Sequence, residues 1–210
     1  MALRKDPFAV GEYYHLYSRG VDKRKVFLNA QDYRKFQFLM YVCNSEKSIV
    51  LRNIRKSFDR GETIVDIGAF CLMPNHFHIL VREKIENGIS LFMRKLLTGY
   101  SMYFNLKHDR KGKLFDGAFK AINASDDRYL KYLYSYIHLN PAKLIDKNWK
   151  YNMRGDNKEI LNFCLSYSNS SIGEYRNSHY KIIDPRHFPE YFPSYSNHIE
   201  ELVEWLQFTT

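Results

Sequence analysis

Apolar residues follow two different spacings over the first 145 residues, the two-residue period of a strand and the 3.6-residue period of a helix. Strands are predicted over Tyr13–Arg19 and over residues 63–72, 76–81 and 119–123. Helices are predicted from Asn29 or Asp32 to about residue 44, over 91–107 with Ser90 as the N-cap, and from Ser125 to near Asn140 before a proline. This order, β-α-β-β-α-β-α, predicts an α+β, ferredoxin-like fold: an antiparallel sheet with helices packed on one face and a further helix after the fourth strand.

The pattern weakens beyond about residue 145, and residues 45–61 form a polar, basic stretch predicted as a loop or short helix. Residues 180–210 interleave three prolines with aromatic residues, and Asn197 with Glu200 resembles a capping box before a final helix over 198–208. Such an apolar segment loses stabilisation if it stays in water. We therefore expect a core over residues 1–145 and a C-terminal extension over 146–210 that packs on the core or on a partner subunit.

Composition and charge point to a polyanionic partner. The chain has 32 Lys and Arg against 23 acidic residues, a net charge of +9, with 17 Tyr and 15 Phe. Single-stranded nucleic acid suits this combination, because bases stack on aromatic rings while cations contact phosphates. The alternative is a basic soluble protein whose aromatic residues only fill the core.

Cysteine usage and apolar runs suggest the compartment. Cys43, Cys71 and Cys164 form no CxxC pair and no disulfide framework, so a reducing, cytoplasmic environment is expected. No apolar run is long enough to span a membrane, and the N-terminal residues lack an apolar signal region.

Two histidines flank one apolar residue in the stretch MPNHFHIL, residues 73–80. On a strand, His76 and His78 would project from one face while Phe77 packs into the core. Neutral imidazole is the commonest protein ligand for divalent metals, so the pair is a candidate metal site. The alternative is a pair of ordinary surface histidines.

Tyr136 and Asn140 are four residues apart and would share one face of the last predicted helix. A helix laid over the sheet could bring them to the histidine pair, where two imidazoles and the amide oxygen of Asn140 would hold Mg²⁺ or Mn²⁺. A tyrosine becomes a useful nucleophile when a cation stabilises the phenolate or the phosphate it attacks. Core packing is the alternative for Tyr136, and a helix-end position beside proline is the alternative for Asn140.

Five stretches occur in a fixed order between residues 13 and 145: YHLYSRG (14–20), MPNHFHIL (73–80), LTGYSMYFN (97–105), GKLFDGAFK (112–120) and YIHLNP (136–141). In these stretches the chain resembles the single-tyrosine HUH-type transposases, most closely the REP-associated tyrosine transposases. Ala118, where relatives commonly carry arginine, and a loosely matching stretch at 167–171 depart from the family pattern.

The resemblance implies a nuclease acting on single-stranded DNA, usually on hairpins. It implies that His76, His78 and Asn140 bind the metal, and that Tyr136 forms a 5′-phosphotyrosine link and releases a 3′-hydroxyl. Whether such a protein acts as a monomer or a homodimer stays open.

Seven basic residues on the second helix, the loop after it and the fourth strand are predicted to contact DNA phosphates: Arg94, Lys95, Lys107, Arg110, Lys111, Lys113 and Lys120. The alternative is a solvated basic surface. Two rival functions stay open, a non-catalytic protein that binds single-stranded nucleic acid and a metal-dependent phosphodiesterase in which water attacks and Tyr136 only packs.

Overall fold

The computed structural model describes residues 7–48, 50, 54, 57–149 and 157–208. Four strands and six helices are present in these residues: β1 Tyr13–Arg19, α1 Ala30–Cys43, β2 Val65–Met73, β3 His76–Glu83, α2 Gly88–Lys107, β4 Lys120–Asn123, α3 Asp127–His138, α4 Asn157–Ser166, α5 Ile172–Asn177 and α6 Tyr195–Phe208. Three short 3-10 turns also occur, at Val21–Lys23, Asn140–Leu144 and Pro185–His187. The structure confirms the α+β fold and the predicted order of the first seven elements.

The strands form one antiparallel sheet in the order β2-β3-β1-β4. Met73 and His76 are paired across the turn that joins β2 to β3, where Pro74 interrupts the ladder as expected. A bulge between Ile67 and Ala69 shifts the register of β2. Gly68 occupies the bulge, and a Cβ atom there would lie 2.8 Å from the ring of Phe188. The glycine therefore lets the C-terminal extension approach the sheet closely.

The two faces of the sheet are covered by different helices. Leu16, Phe77 and Ile79 belong to the main core, which α1 and α2 complete on one face. Leu80 and Ala69 pack on the opposite face in a second cluster with α3. Because side chains alternate along a strand, His76 and His78 must point toward α3 while Phe77 points toward α1 and α2.

Helix boundaries agree with the sequence where a side chain supplies the cap. Asn29 accepts hydrogen bonds at the start of α1, and Asp32 completes a capping box there. Ser90 was the wrong cap for α2, which begins at Gly88; the buried carboxylate of Glu83 accepts a 2.7 Å bond from the Ile89 amide instead.

The final helix also begins earlier than predicted. It starts at Tyr195, and the hydroxyl of Ser194 accepts a bond from the Asn197 amide. The predicted capping pair, Asn197 and Glu200, instead bonds side chain to side chain inside the helix at 3.1 Å. Sequence periodicity did not predict α4 and α5, which lie in the stretch where the pattern weakens.

The C-terminal residues pack against the sheet and α3. A short segment pairs with β2 through an isolated bridge between Cys71 and Ser170, with Leu72 donating to the Asn169 carbonyl at 2.8 Å. Leu202 of α6 is buried in a third cluster. The ring of Trp205 packs at a tilt against Tyr132 of α3, with ring centroids 4.6 Å apart. The division of the chain at residue 145 stays a prediction.

A buried histidine network joins α3 to these C-terminal elements. His138 Nε2 lies 2.7 Å from Ser171 Oγ, and His138 Nδ1 lies 3.2 Å from His198 Nε2. Ser171 Oγ also accepts a bond from the Phe70 amide of β2 at 2.9 Å. The strand β2, the helix α3 and the C-terminal elements are thus connected by one chain of polar contacts.

No helix in the described part of the chain is long and apolar enough to cross a membrane.

Candidate active site

Three histidines from two neighbouring strands meet on the sheet face that α3 covers. β3 contributes His76 and His78, whose ring centroids are 5.0 Å apart. β1 contributes His15, which sequence reasoning did not single out and whose Nε2 lies 2.8 Å from Nδ1 of His78. The predicted projection of His76 and His78 from one face is present, with Phe77 fully buried behind them.

The neighbours of the histidines fix which ring nitrogens are available. Asn75 donates its amide nitrogen to the Lys23 carbonyl, so its Oδ1 must accept the 2.7 Å bond from Nδ1–H of His76. That bond leaves the Nε2 lone pair of His76 available as a ligand. A bond from Nδ1–H of His78 to His15 would leave Nε2 of His78 available in the same way.

Burial keeps the three imidazoles neutral. It lowers the pKa of His15 to about 4, and it lowers that of His76 to about 4 with help from the charge of Lys143. The pKa of His78 lies well below its ordinary value through burial and the neighbouring His15 and His76. Metal binding requires neutral imidazole, so the cluster is in the ligand form at neutral pH.

Tyr136 lies over these rings from α3. Its ring centroid is 5.3 Å from that of His78 and 5.8 Å from that of His15, edge-on in both cases. Burial raises the pKa of Tyr136, and the nearby amide of Asn140 opposes that rise. The phenol is therefore neutral at physiological pH and needs positive charge nearby to act as a nucleophile.

Asn140 lies at the start of the 3-10 turn that follows α3. It is 1% exposed, and neither polar atom of its amide forms a hydrogen bond of good geometry within the described residues. It is nevertheless close enough to influence the pKa of both His76 and Tyr136. A buried amide oxygen without a partner is costly, and a divalent cation held between Asn140, His76 and His78 would satisfy it. Two imidazole nitrogens and one amide oxygen form a donor set that fits a divalent cation.

Lys143 is a second residue that sequence reasoning missed. One turn of the 3-10 segment places its Nζ 5.5 Å from the centre of the Tyr136 ring. It lines the same small pocket as Tyr136 and Asn140, and its charge lowers the pKa of His76 and His78. The only signal for Lys143 in the sequence was its position three residues after Asn140, which places both residues at the C-terminal end of α3.

The seven predicted DNA contacts divide into two groups. Lys107 pairs with the buried carboxylate of Asp32 at 2.7 Å, and Lys95 donates to the Ser45 carbonyl at 2.9 Å. These bonds favour structural roles for both lysines. Their helix, α2, also carries Arg94 on the sheet face opposite the site.

The remaining predicted contacts precede or belong to β4. Arg110 bonds to Asn105 at 3.2 Å, whereas Lys111, Lys113 and Lys120 are exposed. Lys120 pairs with Tyr17 of β1, which brings it to the same sheet face as His15. A role in DNA binding stays a prediction for all seven residues.

A separate acidic cluster lies at the other end of β2. Ligand atoms of Asp66, Asp184 and His187 lie within 4.8 Å of one another, an arrangement that could hold a divalent cation. Arg82 pairs with Asp66 at 3.0 Å and Arg186 with Asp184 at 2.6 Å, which already neutralises both carboxylates. Seven residues of strand separate Asp66 from Met73 beside His76, roughly 20 Å, so this cluster is not part of the tyrosine site.

The antiparallel sheet thus carries paired imidazoles beneath a tyrosine on α3. The family model described as "Transposase IS200 like" matches residues 11–140, which is more than half of the chain. The protein therefore belongs to the IS200-like transposase family. No curated protein sequence matches it.

Among solved structures, one titled "Structure of the REP associates tyrosine transposase bound to a REP hairpin" has a similar fold. The TM-score is 0.51 with 16% identity, over 87% of this chain and 90% of that chain. Coverage of 87% requires that the similarity extends beyond residue 140.

Proposed function

We propose that this protein is a metal-dependent, single-stranded DNA endonuclease and strand transferase in which Tyr136 is the nucleophile. The observation that carries the proposal is the convergence of Tyr136, Asn140 and three neutral imidazoles at one point between α3 and the sheet. Family membership supports a role in transposition. The structural relative bound to a REP hairpin makes DNA hairpins the substrate to test first.

His76, His78 and Asn140 would hold the cation, which supplies positive charge to the scissile phosphate when bound. The phenolic oxygen of Tyr136 attacks phosphorus, an O–P bond forms, and the bond to the 3′ oxygen breaks. The phenolic proton leaves to solvent, and the 3′ oxygen takes up a proton. Tyr136 then carries a 5′-phosphotyrosine link, and attack by a 3′-hydroxyl reverses the same steps.

Lys143 completes the electrostatics of this step. Its Nζ lies 5.5 Å from the centre of the Tyr136 ring, so its charge would favour the phenolate that forms as Tyr136 loses its proton. Such stabilisation matters because burial raises the pKa of Tyr136 and thus opposes ionisation.

The first prediction concerns the nucleophile. Tyr136→Phe removes only the hydroxyl, so it should abolish the covalent adduct with labelled hairpin DNA in Mn²⁺ while leaving DNA binding nearly unchanged. Denaturing gels measure the adduct directly. Tyr132→Phe, one helical turn away, is the matched control and should still form it.

The same gels separate the rival functions. Adduct formation by Tyr136→Phe would mean that another tyrosine is the nucleophile. Free DNA ends without adduct from the unmodified protein would indicate attack by water, and uncut DNA that is still bound would indicate a binding protein only.

A further inference from the structure

A groove opens beside the candidate active site, between α3 and the edge of the sheet formed by β1 and β4. Its volume is about 290 Å³. His78 and Tyr136 form part of its wall, so the groove is continuous with the site itself. The other lining residues that matter here are Tyr17, Ile122, Tyr129 and Tyr132.

Aromatic rings line both sides of the groove. Along α3, Tyr129, Tyr132 and Tyr136 follow one another at helical spacing, with ring centroids 6.3 and 5.7 Å apart. On the sheet, the Tyr17 ring lies 6.0 Å from the His78 ring. Tyr17, Tyr129 and Tyr132 are only partly buried, so each keeps ring surface that a flat ligand could contact.

Positive charge lies at the rim where the sheet meets the groove. Lys120 is directly opposite Tyr17 in the antiparallel ladder, and such partners project from the same face. Arg19 follows Tyr17 by two residues and therefore shares its face. Both side chains are exposed, and Arg19 is close enough to lower the pKa of His76.

We propose that this groove binds an unpaired nucleobase of the DNA strand whose phosphate lies at Tyr136. The proposal rests on the proposed function, because a phosphate at Tyr136 fixes the adjoining nucleotide beside the groove. Tyrosine faces stack on any base, while Lys120 and Arg19 neutralise phosphates on either side of it. The groove would then orient the strand for attack rather than supply affinity alone.

The test compares the affinity of the protein for two DNA probes that differ only in whether the single-stranded flank carries bases. One probe is a DNA hairpin with a single-stranded thymidine flank, and the other carries the same flank with abasic nucleotides. One stacked base contributes enough that the full-length protein should bind the thymidine probe roughly tenfold more tightly. Tyr17→Leu and Tyr129→Leu should lose most of that preference, whereas Tyr17→Phe and Tyr129→Phe should retain it.

Controls separate stacking from charge and folding. Tyr180→Leu, at an exposed tyrosine outside the groove, should keep the preference for the thymidine probe. Lys120→Ala should weaken both probes alike and flatten the dependence of affinity on salt by roughly 0.7–0.9 in the logarithmic slope. Ile122→Glu alters an exposed position on the strand and so tests the groove without removing a packed ring; it should weaken the thymidine probe more than the abasic one.

Two results would overturn the proposal: equal affinity of the unmodified protein for both probes, or leucine and Ile122→Glu variants that discriminate as well as the unmodified protein. The adduct assay is independent of these measurements. Normal adduct formation without base discrimination would reject only the proposal that the groove binds a base. Base discrimination without adduct formation would reject only the proposed cleavage reaction.

Discussion

Two histidine clusters in this protein share burial and lowered pKa but differ in what surrounds them. The open cluster, His15, His76 and His78, adjoins a groove and faces Tyr136 and Asn140. The closed cluster, His138 and His198, is at most 1% exposed and packs against Ser171 and the stacked ring of Phe192, whose centroid is 4.4 Å from that of His198. His198 borders a separate cavity of about 360 Å³, but neither Tyr136 nor Asn140 lines that cavity.

A lowered pKa alone therefore does not identify an active site. Burial is the leading cause at His138 and His198 just as it is at His76. The open cluster differs because a buried amide, Asn140, converges on it without a hydrogen bond of good geometry in the described residues and because the ring of Tyr136 lies in contact with it. In the closed cluster, His138 bonds to the hydroxyl of Ser171, which already accepts a hydrogen bond from the Phe70 amide of β2.

The largest expected effect is on adduct formation, which should depend on the open cluster. His78→Ala should reduce adduct formation at least ~100-fold and weaken Mn²⁺ binding measured by calorimetry, because a proposed metal ligand is lost. His187→Ala, in the acidic cluster with Asp66 and Asp184, is the matched control. Loss of adduct in the control but not in His78→Ala would assign the functional metal to the acidic cluster.

The converse change should affect stability rather than chemistry. His138→Ala leaves a cavity and unpartnered polar groups at Ser171 and His198, so unfolding free energy should drop by about 3 kcal/mol. Denaturant titration measures the loss, with His179→Ala at an exposed site as control. Folded His138→Ala protein at low temperature should still form adduct; a folded variant with no adduct would make the closed cluster part of the active site.

A smaller effect is expected at Lys143. Lys143→Ala should slow adduct formation about tenfold while leaving Mn²⁺ binding intact, because only the charge beside the Tyr136 phenolate is lost. Lys143→Arg should restore most of the rate, and the exposed Lys147 provides the control Lys147→Ala. An unchanged rate in Lys143→Ala would remove this lysine from the mechanism.

A further expected effect, on the pH dependence of stability, is shared by both clusters. Their pKa values are lowered in the folded state, to about 4 for His15, His76 and His198, so the unfolded chain binds more protons below its pKa near 6.5. Stability should therefore be constant above about pH 7 and fall as the pH drops from 6.5 toward 4. Double replacement of His138 and His198 by Gln should reduce the slope of unfolding free energy against pH between 6.5 and 4. An unchanged slope would contradict this prediction.

The same pKa values set the pH range in which metal-dependent activity is expected. With unperturbed histidines, metal-dependent activity would decline below about pH 6.5. The folded environment moves that decline toward pH 4 for His76.

Sequence periodicity was sufficient for the sheet and for α1 to α3, because each buries a long apolar face on one core. It was also sufficient to bring His76, His78, Tyr136 and Asn140 into one hypothesis. His15 was missed because a single histidine in a strand carries no spacing signal, although it follows the same alternation as Tyr17.

Long-range pairing explains the other differences. Lys107 resembles its basic neighbours in sequence, but its carboxylate partner lies 75 residues earlier at Asp32. The helices α4 and α5 are short, and they contact each other, α6 and the 3-10 turn Asn140–Leu144, which no local pattern reveals.

The pairing of residues 169–171 with β2 has a consequence for the order of events during synthesis. Phe70 leaves the ribosome 101 residues before Ser171, which bonds to it in the finished protein. Throughout that interval the outer edge of β2 has unsatisfied amide and carbonyl groups, a template on which other chains can aggregate. The nascent chain is therefore most vulnerable just before its last elements emerge, and co-translational chaperones would protect it most in that interval.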